Sequence, residues 1–141
     1  MFLKGLGNKM ASALASFLAA VSLQAAAAPD GAGVAPDFSS VGSVESAAAL
    51  AAQGKLVRVL LFPAEFGGDD IPQNAVYITP EAAAARELAL GTISRMIEKG
   101  LLDRMEVSPV YKGKSFVPAS LVFKAWHSSK EGRFEPTIEV W

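Results

Sequence analysis

At Gly100 the chain changes its hydrophobic period, and that change decides what kind of fold it can form. Upstream, Thr79 to Gly100 reads as one amphipathic helix with both ends written into the sequence. Thr79 suits the N-cap, Pro80 the first helical position and Glu81 the positive end of the helix dipole, while Gly100 can stop the helix. At 3.6 residues per turn, Ala82, Ala85, Ala89, Ile93 and Met96 share an apolar side, with Leu90 and Ile97 at its border. Glu81, Glu87, Ser94, Arg95, Glu98 and Lys99 occupy the other. Gly91 sits mid-helix at a cost of ~1 kcal/mol relative to alanine, which packing is expected to offset.

Downstream of Gly100 the period is 2. Asp103 to Tyr111 alternates, with Met105, Val107 and Tyr111 on one face and Arg104, Glu106 and Ser108 on the other. Lys112 to Ser115 is a hairpin turn, Phe116 to His127 a second strand, Ser128 to Gly132 a polar turn and Arg133 to Trp141 a third strand. The three form an antiparallel meander. Pro109, Pro118 and Pro136 each lack a ladder donor and belong at strand starts, edges or bulges.

Before the main helix, Ser43 can cap a short helix over Val44–Gln53 that ends at Gly54. Lys55 to Phe62 (KLVRVLLF) is apolar on both faces, the pattern of an inner strand. Residues 63–74 (PAEFGGDDIPQN) form a loop, and Ala75 to Thr79 is a strand running into the helix cap. The fold class is therefore α+β: an antiparallel sheet of four to five strands, the main helix 80–99 on one face and a short N-terminal helix.

The first 27 residues read as a secretory signal peptide. Lys4 and Lys9 give a positive start, no acid precedes Asp30, and Ala11 to Leu23 is an uncharged apolar run of 13 residues, short for a membrane span. Ala25 to Ala28 supplies small residues for cleavage. The competing reading is an amphipathic surface helix, because Lys4, Asn8, Ser12 and Ser16 recur every four residues. Residues 28–42 (APDGAGVAPDFSSVG) carry little to bury and read as a flexible leader, leaving 43–141 as one domain. The product is expected to be exported, periplasmic or secreted, with no transmembrane anchor after cleavage.

Function is less constrained. There is no cysteine, which excludes disulfides, thiol nucleophiles and thiolate metal sites. Lysine and arginine number 13 against 14 acids, so no electrostatic footprint for nucleic acid exists. No nucleophile elbow, zinc-binding His-Glu-x-x-His or phosphate loop occurs, and no cofactor is indicated. The aromatic C-terminal strands point to a binding face, with Trp126, Trp141 and Val122 as candidates against the alternative that these residues only pack. Glu65, Asp69 and Asp70 in the 63–74 loop are a second candidate set, although their spacing matches no known calcium loop. The leading class is a non-enzymatic module binding another protein or a small ligand. The rival is a small hydrolase or metal-dependent enzyme in which His127, the only histidine, converges with those carboxylates.

Overall fold

The computed structural model describes residues 36–141, and the packed unit runs from Asp37 to Trp141. The signal-peptide assignment lies outside the described residues. Among those that are described, no helix is long and apolar enough to cross a membrane.

Thr79 caps the main helix as its chemistry dictates, its side chain accepting from the Ala82 amide at 3.1 Å. In chain order the elements are α1 (Val44–Ala52), β1 (Val57–Leu60), β2 (Ala75–Ile78), α2 (Pro80–Glu98), β3 (Arg104–Tyr111), β4 (Pro118–Trp126), β5 (Arg133–Phe134) and β6 (Thr137–Glu139). Gly100, at φ +72°, ends α2 in a Schellman motif, with its amide bonded to Ile97 and that of Leu101 to Met96. Ser43 caps α1 in a reciprocal capping box with Ser46.

The strands form two antiparallel sheets: β1 with β2, and β3, β4 and the β5/β6 pair around central β4. The α+β class and the meander therefore stand, but the strand over 55–62 is not an inner one. It is half of a two-stranded sheet and, among the described residues, keeps one unpaired edge. The three prolines lie where a missing donor is tolerated. Pro118 opens β4, Pro109 lies on edge strand β3 one residue before a register shift at Val110/Tyr111, and Pro136 separates β5 from β6.

Register settles which face of β4 is inside. Leu121, Phe123 and Ala125 are fully buried, paired with Pro109, Val107 and Met105 on one side and with Ile138 and Phe134 on the other. Their core is closed by Ala82, Ala89, Leu90 and Ile93 of α2. The helix face differs from the spacing-based expectation in one respect. Ala85 is exposed, and Arg86 takes its place on the inner side at 5% exposure. Its stem packs while its guanidinium donates to the Leu60 carbonyl and, at 2.8 Å, to Glu87. Gly91 has no close packing; a β-carbon there meets only the Arg95 guanidinium, at 3.7 Å.

The leader also carries more than expected. Phe38 and Val41 are core residues, so the packed domain begins near Asp37 and not at Ser43. Ser115 holds them in place: its hydroxyl donates to the Phe38 carbonyl at 2.7 Å, and the neighbouring Phe116 amide donates to Val41 at 2.8 Å.

Candidate binding groove

The structure separates the residues singled out from sequence. Trp126 and Val122 lie half-buried on the outer face of β4, among polar neighbours. Arg104 and Arg133 flank Trp126 in register, and Ser108 and Thr137 flank Val122. Trp141 is at the far end. Its amide reaches the Ala119 carbonyl, seven residues and roughly 23 Å along the strand from Trp126. There it serves as a pin: its ring meets Phe38 edge-on at 6.0 Å between centroids, its Nε1 donates to the Val117 carbonyl at 3.0 Å, and the Lys112 ammonium sits 4.3 Å above it. The two tryptophans do not form one patch.

The acidic loop is a folded structure closed by Asn74. The Asn74 side chain exchanges two hydrogen bonds with the Phe62 backbone, each 2.9 Å, and donates to the Asp69 carbonyl at 2.9 Å. Gly68 passes so close to the Phe62 carbonyl that a β-carbon would lie 1.8 Å from its oxygen. Asp70 pairs with Arg58 at 2.8 Å on the surface, and Glu65 is exposed. Among the described residues no three of His, Asp and Glu, with Glu65, Asp69, Asp70 and His127 included, form a metal-sized cluster.

His127 has a different neighbour, Asp103. His127 Nε2 lies 3.8 Å from Asp103 Oδ2, beyond hydrogen-bond range. The Asp103 carboxylate instead accepts from the Ser128 hydroxyl at 2.6 Å and amide at 2.8 Å, and these bonds hold it below its ordinary range. The Ser129 amide donates to His127 Nδ1 at 3.0 Å, with the Ser129 hydroxyl 3.4 Å from the same atom. A backbone donor thus fills the lone pair that a general base needs for its substrate. The constellation staples the β4–β5 turn onto the start of β3.

What the residues do build is a groove of about 430 Å³ that sequence reasoning missed. Val44 and Ala47 of α1 form one wall, with Leu61, Pro72 and Gln73 from the loop side. Ala75, Val76 and Tyr77 of β2 form another, and Pro109, Tyr111 and Phe116 close it. Its rim is apolar yet open to solvent: Val44, Tyr111 and Phe116 are 52%, 48% and 46% exposed. Partial burial raises the Tyr111 phenol above its usual range, and Arg58 supplies the one charged side chain of the lining. The lining comes from five segments spread over more than 70 positions, which no local periodicity reveals. The available sequence signal was the Tyr111–Phe116 pair flanking a short basic turn.

Comparison with known protein families, curated proteins and solved structures gives no match to this chain.

Proposed function

We propose that the protein is an exported, non-enzymatic binding module whose partner is another protein, held in the groove between α1, β2 and the β3–β4 connection. One observation carries this reading: Val44, Tyr111 and Phe116 leave their apolar side chains around half exposed at the mouth of one concave surface. Solvent disfavours such a cluster, whereas a partner that covers it recovers about 25 cal/mol for each Å² of apolar surface. The outer face of β4, with Trp126 and Val122, is the lesser candidate because polar residues are interleaved throughout it.

The test compares immobilised wild type with Phe116→Asp and Val44→Asp as baits for native extract, followed by rebinding of the purified captured protein. Both positions are exposed, so the folds should survive, as thermal melts will verify. A protein retained by wild type, lost from both variants and rebinding when pure supports the reading. Identical retention by all three baits rules the groove out.

A further inference from the structure

Resting on that reading of the groove, we infer that its occupant is an extended polypeptide segment that adds a strand to the free edge of β2. In an antiparallel pair, alternate residues turn their backbone groups toward the partner strand and the others turn away. The Leu61 amide donates to the Asn74 carbonyl at 2.7 Å, in the register that pairs Val59 with Val76 and Val57 with Ile78. Asn74, Val76 and Ile78 therefore face β1, and Ala75 and Tyr77 face outward. The opposite strand agrees with this parity. Leu60 also points outward, and its carbonyl is the one that Arg86 caps.

The two sheets guard their edges differently. The free edge of β1 is covered at Leu60 by the Arg86 guanidinium. On β4, the amides of Phe123 and His127 bond to Pro136 and Gly132, and the Ala119 carbonyl accepts from Val140, so odd-numbered residues face β5 and β6. Even-numbered residues of β4 must then face β3. In the observed register this leaves Met105, Val107 and Pro109 on the outer edge of β3. Where that edge enters the groove the residue is Pro109, which has no N–H to offer an incoming strand. The edge of β2 has no such guard. Ala75 donates to Pro72, but among the described residues no bond outside the ladder uses the Tyr77 amide, the Tyr77 carbonyl or the Ala75 carbonyl.

The residues that carry these groups, Ala75 and Tyr77, line the groove together with Val76 between them. A lipid chain or an aromatic ligand would fill the apolar volume and leave them unpaired. An extended peptide satisfies both demands, because its backbone meets the Tyr77 N–H and C=O while alternate side chains lie against Leu61, Val44 and Phe116. The recognised chemistry is a short β-strand of about five residues with apolar side chains at every second position.

The test selects binders from a random library of 12-residue peptides displayed on phage, using the full chain as target. Selected peptides are resynthesised with N-methyl groups on alternate backbone amides. Enriched sequences should alternate apolar residues, lose about tenfold or more in affinity on Phe116→Asp, and lose about as much when the strand-facing amides are methylated. Methylation of the other register should have little effect. Binding that depends on Phe116 but ignores methylation overturns the strand and leaves the groove intact. Binding that ignores Phe116, or no enrichment at all, also overturns the inference. So does a dimer in sedimentation that is lost in Phe116→Asp while no peptide binds, which assigns the groove to a second copy.

Discussion

Replacing Arg86 separates two opposing effects within one side chain. Its terminal nitrogen caps the Leu60 carbonyl on the open edge of β1, while its Nε is buried with no partner. Burial also lowers the guanidinium pKa, against the pull of Glu87 and Glu65. A hydrogen bond from a charged donor contributes about 1.5–3 kcal/mol, and an unmatched buried donor costs about 1–3 kcal/mol. These two nearly cancel. What remains is the packed stem, in which two methylenes beyond the β-carbon contribute about 0.8 kcal/mol each. Arg86→Ala should therefore destabilise by about 2 kcal/mol. Arg86→Met keeps the stem, drops the cap and the orphaned nitrogen together, and should stay within about 1 kcal/mol of wild type. Urea unfolding followed by tryptophan fluorescence measures both, provided the slope is unchanged. Equal losses of about 3 kcal/mol in both variants would show that the cap dominates and Nε carries no penalty. Two neutral variants would show that the side chain is not buried.

Glycine substitutions should split in sign. Gly91→Ala makes only an ordinary contact with the Arg95 side chain and should raise stability by about 0.5–1 kcal/mol in the same assay, whereas Gly68→Ala drives a β-carbon into the Phe62 carbonyl and should lower it by about 2 kcal/mol or more. Thermal melts across pH test the Asp103 staple. Its folded-state pKa lies below that of an ordinary aspartate, so its stabilisation is present above the ordinary aspartate pKa and lost as pH falls through the folded one. Ser128→Ala should thus melt below wild type at pH 7, with the difference closing in stronger acid; a gap that does not change with pH would remove the carboxylate from the account.

Features set by local chemistry were legible in the sequence. The caps at Thr79 and Ser43, the stop at Gly100 and the alternation through Met105 and Val107 all act within a few residues, and each appears as read, while Tyr111 leaves that face at the register shift. Arg86 was not legible because a charge breaks an apolar stripe on paper, although 82, 86, 89 and 93 have helical spacing. Its burial depends on a carbonyl 26 positions away. Phe38 and Val41 were hidden in a stretch rich in glycine and proline, and their anchor is Ser115, 77 positions from Phe38. The division into two sheets was hidden as well, since KLVRVLLF has the same composition whether its strand is central or at an edge. The groove follows from that division: its walls exist because β2 and β3 do not pair.

Residue-resolved amide exchange of the full chain, free and with a selected peptide bound, reads the edge of β2 directly. The Tyr77 amide should exchange fast in the free protein, unlike Val76 and Ile78 on either side, and slow by about tenfold or more in the complex. A Tyr77 amide that is already protected without peptide, or that exchanges equally fast with it, would contradict the claim.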